Sequence, residues 1–155
     1  MLPKTILVPT DLSPHAEAAF DYACELAIKL DATVHLVNVI GIPALGVPEL
    51  GVAVTSAMID SLIEENQQAL ESLAARCRSG ARIGQILLKT GDARDMIDET
   101  AKEIDADLIV MGTHGRRGVS RALLGSVAEM VVRTAPCPVL TIRTREQKHS
   151  GRHAA

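Results

Sequence analysis

The chain has 155 residues, of which 47% are hydrophobic and 23% charged, a composition typical of one globular domain. It excludes a disordered or low-complexity protein. The net charge of −3 and the aromatic content of 1% argue against a nucleic-acid surface, which needs basic patches or stacking rings. No apolar run is long enough to span a bilayer. We therefore expect neither nucleic acid nor a membrane as a partner.

The three cysteines, Cys24, Cys77 and Cys137, are widely spaced. An odd number without a C-x-x-C pair is typical of reduced thiols that pack as small apolar side chains. The first ten residues hold an apolar run that Lys4 and two prolines interrupt, which is too short for a signal peptide. We therefore expect three unpaired cysteines in a cytoplasmic protein.

Short apolar runs alternate with helical patterns along the whole chain. The first strand is predicted over residues 4–9 and the first helix over 14–30, with apolar residues recurring on one face. Ser13 and Pro14 suit the N-cap and the first helical position. A second strand is predicted over residues 32–40.

Residues 41–54 contain three glycines and two prolines, which predicts an irregular loop. A long helix is predicted over residues 55–79, with Gly80 at its C′ position. The predicted inward face of this helix comprises Met58, Ile59, Leu62, Ile63, Leu70, Leu73 and Cys77.

The remaining elements continue the alternation. The predicted order is a strand at 83–89, a helix from Asp92 to Ile104, a strand at 107–112, a helix ending near Ala135 and a strand at 138–142. Strands that alternate with helices and read as continuous apolar runs indicate an α/β fold with a five-stranded, doubly wound parallel sheet and helices on both faces. Residues 144–155 are polar, and we expect a disordered tail there.

The most informative stretch follows the fourth strand. Gly112, Gly115 and the pair Gly125-Ser126 give the spacing G-x2-G-x9-G-S/T. Ser126 and Glu129 match the S-x-x-E capping box, which predicts a helix start whose free N–H groups attract anions. Arg116, Arg117 and Arg121 add positive charge between the glycines. These features favour a nucleotide polyphosphate site, while a tight turn followed by a well-capped helix is the alternative.

The sequence resembles the universal stress protein family. The resemblance runs from Lys4 to Arg143 and rests on the stretches 6–13, 37–39, 107–118 and 123–140. It implies a domain over residues 1–143 with a Rossmann-like sheet of order 3-2-1-4-5. The complete glycine spacing implies membership of the subgroup that binds ATP.

The resemblance also implies the roles of individual residues. The implied nucleotide-binding set is Pro9, Thr10, Asp11, Val39, Met111, Gly112, His114, Gly115, Arg116, Gly125, Ser126 and Val127. In that set Asp11 contacts the ribose and adenine side, and the backbone of Val39 binds the adenine edge. Asp11 could instead cap the first helix, and His114 could be an exposed loop residue.

The resulting expectation is a small cytoplasmic ATP-binding stress-response regulator. Mg²⁺ or Mn²⁺ would be held mainly by the phosphates, so no metal ligands are assigned to the protein. No catalytic residue is assigned, because a Walker lysine and an acidic pair are absent, and we expect hydrolysis to be slow or absent. The family resemblance implies a homodimer through residues 138–142, and we expect an unknown regulatory partner protein. The alternatives are a dimeric interaction module whose nucleotide is incidental and a weak ATPase.

Overall fold

The computed structural model of the chain describes residues 2–41, 56–77, 80–113 and 124–143. The strands are β1 (Thr5–Pro9), β2 (Thr33–Ile40), β3 (Arg82–Thr90), β4 (Leu108–Gly112) and β5 (Val139–Ile142). The helices are α1 (Pro14–Leu30), α2 (Ser56–Ala75), α3 (Ala93–Glu103) and α4 (Ser126–Thr134). All strand pairs are parallel, and the sheet order is β3-β2-β1-β4-β5. The predicted fold class and strand order are confirmed.

The central strand β1 shows why the sheet needs helices on both of its faces. Ile6, Leu7 and Val8 of β1 are completely buried. Because successive side chains of a strand point to opposite faces, Ile6 and Val8 pack on one side and Leu7 on the other. A continuous apolar run is therefore what a two-sided core requires.

Helices α1 and α2 cover the face on which Ile6 and Val8 lie. The buried contacts from α1 include Phe20 and Ala23, and those from α2 include Leu70. The packing also brings together Cys24 in α1 and Cys77 beyond the end of α2, with a Cα–Cα separation of 6.4 Å, and the two form a disulfide.

The prediction of three unpaired cysteines is therefore wrong for Cys24 and Cys77. Cys137 alone of the three is free, and burial raises the pKa of its half-buried thiol, with smaller contributions from the Asp107 and Asp98 carboxylates. The cysteines thus no longer support the expected cytoplasmic location, because disulfides persist mainly in oxidising environments.

The boundaries of α2 differ from the prediction. The helix ends at Ala75, and Gly80, with a φ of 84°, lies near the start of β3 rather than at the helix C′ position. The predicted inward residues Met58, Leu62 and Ile63 are 54%, 42% and 37% exposed. Helical periodicity identifies the apolar face of a helix, but it does not show how much of that face meets the sheet.

Helices α3 and α4 cover the opposite face of the sheet. Ile97 and Ala101 of α3 and Ala128 and Val131 of α4 pack in a cluster with Leu7 of β1. No helix among the described residues is long and apolar enough to cross a membrane.

Candidate nucleotide site

The carboxyl end of β1 leads into a short segment, Thr10–Ser13, which we call the β1 loop. The Thr10 N–H donates to the carbonyl of Val37 in β2 over 2.8 Å, which extends the strand pairing by one residue. Within the loop the Leu12 N–H donates to Thr10 Oγ1 over 3.0 Å, and the Ser13 N–H donates to Asp11 Oδ1 over 3.0 Å. Leu12 has a φ of 62°, an uncommon conformation for a residue with a side chain. The loop therefore turns sharply at the carboxyl ends of the strands, which we call the carboxyl edge of the sheet.

The N-cap position of the first helix is occupied by Ser13 and not by Asp11. The N-cap of α1 is Ser13, whose Oγ accepts from the Ala16 N–H over 3.3 Å. Asp11 is half-buried and accepts from the backbone two residues ahead, as in an Asx turn. The prediction that Ser13 caps this helix is confirmed, and Asp11 is not its N-cap residue.

The carboxyl end of β4 is hydrogen-bonded to the residue that precedes α4. The Thr113 N–H donates to the carbonyl of Ile142 over 3.2 Å, and the Gly125 N–H donates to the carbonyl of Thr113 over 2.8 Å. Gly112 pairs with Ile142 and so continues the strand rather than turning away from it. The first and last parts of the glycine motif, which are separated in sequence, therefore meet at one edge of the sheet.

The start of α4 differs from the predicted capping box. The helix begins at Ser126, as predicted, but its N-cap is Gly125, and no side chain of the residues that the structure describes makes a capping hydrogen bond. Glu129 instead pairs with Arg133 across one helical turn, at 3.2 Å. Both Gly and Ser are common N-caps, so the sequence pattern placed the cap one residue too late. The first N–H groups of α4 thus have no side-chain cap.

Three apolar residues of the predicted site, Val39, Met111 and Val127, belong to the core on one face of the sheet, and we call them the apolar floor. Met111 is buried, Val39 and Val127 are half-buried, and all three belong to or pack against the cluster between the sheet and α3 and α4. Val39 lies in β2, two residues after Val37, whose carbonyl accepts from the β1 loop. Met111 lies in β4. The structure thus brings together side chains from β2, β4 and α4.

Pro9 ends β1 and pairs with Val37 of β2, which places it at the same edge. The predicted site residues His114, Gly115 and Arg116 lie outside the described residues, as do Arg117 and Arg121. The predicted tail at 144–155 and most of the predicted loop at 41–54 also lie outside them.

Asn38 was not among the predicted site residues. It lies in β2 with its side chain 4% exposed, and its Nδ2 donates to the carbonyl of Thr10 over 2.7 Å. A signal was present in the sequence, because Asn38 is the polar residue inside the apolar run Leu36–Ile40. A buried amide in such a run needs a hydrogen-bond partner, which here is the backbone of the β1 loop.

Comparison with known proteins identifies the family of the chain. The model of the universal stress protein family matches residues 3–143. The chain belongs to the universal stress protein family. A universal stress protein of Methanocaldococcus jannaschii is 38% identical over 147 residues, which cover 90% of this chain and 82% of that protein.

Solved structures of universal stress proteins share the architecture. One in complex with cAMP is 26% identical, with a TM-score of 0.70, and the match covers 94% of this chain and 100% of that one. Another, from Archaeoglobus fulgidus in complex with dAMP, is 27% identical with a TM-score of 0.64, covering 92% and 99% of the two chains. These two universal stress proteins thus have this fold and hold an adenine nucleotide.

Proposed function

We propose that the chain binds ATP, with Mg²⁺ or Mn²⁺, at the carboxyl edge of β1 and β4. The observation that carries the proposal is the 2.8 Å bond from the Gly125 N–H to the carbonyl of Thr113, which sets the start of α4 beside the end of β4. A helix start without a side-chain cap offers N–H groups and the positive end of the helix dipole to an anion. Phosphate groups are the anions that such a start commonly binds.

The described residues fit such a ligand. The N–H groups at Ser126 and Val127 would hold phosphate oxygens. Asp11 follows the carboxyl end of β1, the strand beside β4, and its carboxylate would accept from ribose hydroxyls. Val39 offers strand backbone beside the apolar floor, which suits an adenine ring. The bound nucleotide would supply several negative charges, and its phosphates would hold the metal ion. The universal stress proteins with cAMP and dAMP support an adenine nucleotide as the ligand class.

The biological role we propose is that of a small cytoplasmic stress-response regulator in which nucleotide binding is the signal. Its hydrolysis of ATP is slow or absent, and it acts through a regulatory partner protein. The domain responsible covers residues 1–143, with 144–155 as a tail.

The test is titration calorimetry with ATP and Mg²⁺, with AMP in parallel, on protein stripped of carried-over ligand by unfolding and refolding. We expect micromolar or tighter binding of ATP and weaker binding of AMP. The variant Gly125→Val should lose at least tenfold in affinity, about 1.4 kcal/mol, because a branched side chain would stand over the N–H groups. The variant should still fold, since Gly125 has a φ of −61° and a ψ of 150°, which valine adopts readily.

A matched control is Ser61→Ala, which removes an exposed hydroxyl of α2. This hydroxyl donates to Glu65, and both residues are far from the glycine motif in sequence. It should bind ATP as the wild type does. Absence of ATP binding by the wild-type protein, or unchanged binding by Gly125→Val, would contradict the proposal.

A second proposal concerns assembly. We propose that the chain forms a homodimer through residues 138–142, an arrangement that an interaction module would also use. Strand β5 lies at the edge of the sheet, and its four residues are only half-buried, whereas Ile6, Leu7 and Val8 of β1 are fully buried. An edge strand offers unpaired backbone groups to a second copy.

Sedimentation at micromolar concentration tests this proposal. The wild type should sediment as a dimer, and Thr141→Lys in β5 should shift it towards monomer. Thr134→Lys, which places the same charge at the exposed end of α4, serves as the control and should remain dimeric. A monomeric wild type would overturn the proposal.

A further inference from the structure

Asn38 links β2 to the β1 loop through a buried hydrogen bond. Its Nδ2 lies 2.7 Å from the Thr10 carbonyl oxygen, and both residues are buried, at 4% and 5% exposure. The preceding residue, Val37, accepts from the Thr10 N–H through its carbonyl. Two successive residues of β2 thus hold both backbone polar groups of Thr10.

Of the side-chain bonds of the β1 loop, that of Ser13 Oγ with the Ala16 N–H leads to α1, and two others lie within the loop. Thr10 Oγ1 accepts from the N–H of Leu12, and Asp11 Oδ1 accepts from the N–H of Ser13. These bonds fix the shape of the loop, but they do not fix its position relative to the sheet. The bond from Asn38 ties the loop to the neighbouring strand β2, together with the bond of the Thr10 N–H to Val37.

The Asn38 side chain is costly to bury. Its Oδ1 is buried and has no hydrogen-bond partner among the described residues. An unpaired buried acceptor destabilises a fold, and such groups call for an explanation beyond packing. An apolar side chain of similar size would avoid this cost, so the hydrogen bond to Thr10 is what the amide contributes.

We propose that Asn38 is a positioning residue for the nucleotide site. Its amide fixes the backbone of Thr10, and through it the place of Asp11 at the edge of the sheet. The inference rests on the proposed nucleotide function, and it assigns Asn38 no contact with the ligand. Without the amide the fold persists, but the β1 loop opens more often and Asp11 is out of place for more of the time.

Two substitutions separate positioning from stability. Asn38→Leu removes the donor and the unpartnered oxygen together. It also leaves the Thr10 carbonyl unpaired, so we expect these two changes to offset each other in the melting temperature. Asn38→Asp replaces the donor by a carboxylate oxygen that faces the Thr10 carbonyl, and it should loosen the loop further. Asn66→Asp is the matched control, because Asn66 Nδ2 also donates to a backbone carbonyl, that of Leu62 in the exposed α2.

The experiment combines ATP titration calorimetry with residue-resolved amide exchange by NMR on the full chain. Asn38→Leu should weaken ATP binding by about tenfold, the equivalent of one net hydrogen bond. It should also speed exchange of the Leu12 and Ser13 amides by about the same factor, with the melting temperature near that of the wild type. Asn66→Asp should change neither the affinity nor these two exchange rates.

The two readouts distinguish failure of this inference from failure of the proposed function. Unchanged exchange at Leu12 and Ser13 in Asn38→Leu would overturn the positioning role, whether or not ATP binds. Unchanged ATP affinity beside faster exchange would also overturn it, because a moved loop would then not matter to the site. A wild type that binds no ATP contradicts the proposed function, and the exchange rates alone then decide whether Asn38 anchors the loop.

Discussion

The starts of α1 and α4 are built in opposite ways. At α1 the Ser13 hydroxyl accepts from the Ala16 N–H, Pro14 occupies the first helical position, and Asp11 accepts from the Ser13 N–H. At α4 the N-cap is Gly125, and no side chain caps the helix. Among the described residues, a side chain caps the first helix start and none caps the second. Helix starts of the first kind stabilise the fold, and those of the second kind bind anions.

The two helices also differ in how firmly they are attached. Helix α1 has 17 residues and a disulfide near its middle, whereas α4 has 9 residues and ends at Thr134, close before Pro136. We therefore expect the α1 side of the sheet to contribute more to stability than α4, whose start is the proposed ligand site.

Removing the disulfide should have the largest effect on stability. Cys24 and Cys77 are separated by 53 residues, and closing a loop of this size stabilises a protein by about 2–4 kcal/mol. The double variant Cys24→Ala, Cys77→Ala should lose about that much free energy of unfolding in denaturant titrations. Reductant should destabilise the wild type and leave the double variant unchanged, and Cys137→Ala is the single-cysteine control. Equal stability of the oxidised and reduced wild type would show that the disulfide does not hold α1 more firmly than α4 is held.

Ser13→Ala tests the satisfied helix start. Because the hydroxyl of Ser13 caps the helix from a buried position, its loss should cost about 1 kcal/mol of unfolding free energy. Thermal unfolding beside Ser61→Ala, an exposed serine within α2, measures the difference. Equal stability of the two variants would mean that the cap of α1 contributes nothing.

A third helix start, that of α3, has a charged cap. Asp92 accepts from the Arg94 N–H over 2.9 Å, and the Arg94 guanidinium pairs with its carboxylate at 2.7 Å. The hydrogen bond from the Arg94 side chain is the main cause that holds the pKa of Asp92 well below its usual range, with the Arg94 backbone N–H second. The stabilisation is therefore complete above the ordinary carboxyl pKa and is lost as the pH falls towards the lowered one.

The variant Asp92→Asn keeps an N-cap side chain without this charge. Wild type and variant should converge in melting temperature as the pH falls from roughly 5 to 2, with the wild type ahead at the upper end. A constant difference across that range would show that the charge of the cap plays no part.

Ser126→Ala should have the smallest effect on stability. Its hydroxyl is exposed and makes no capping bond, so unfolding free energy should change by only about a few tenths of a kcal/mol. A loss of unfolding free energy near that expected for Ser13→Ala would mean that the Ser126 hydroxyl caps α4 after all, and that this helix start is not open to a ligand. Calorimetry with ATP on the same variant would then show whether the hydroxyl also meets phosphate.

Local patterns in the sequence predicted local structure well. Ser13-Pro14 identified the start of α1 because a cap depends on residues within one turn. The start of α4 was placed correctly but its cap was not, because Gly125 and Ser126 both satisfy the same local preference. The alternation of strands and helices predicted the parallel sheet, since it follows from burial on both faces.

Contacts between distant parts of the chain were not predictable in this way. The pairing of Cys24 with Cys77 depends on how α1 and α2 pack, and the bond from Asn38 to Thr10 depends on the register of β2 against β1. The exposure of Met58 and Leu62 likewise depends on how α2 packs and not on the local sequence pattern. The structure shows where the candidate residues at the ends of β1, β2 and β4 and at the start of α4 lie. Their binding roles, like those of His114, Gly115 and Arg116, stay predictions.

The bridge between Cys24 and Cys77 makes the molecule a closed covalent ring with two tails. A protease that cuts one peptide bond anywhere inside the ring opens the ring but releases no fragment. The nicked protein keeps its full mass apart from one added water, and it separates into two pieces only after reduction. Cleavage between Cys24 and Cys77 therefore yields two separate fragments on a reducing gel and none on a non-reducing gel.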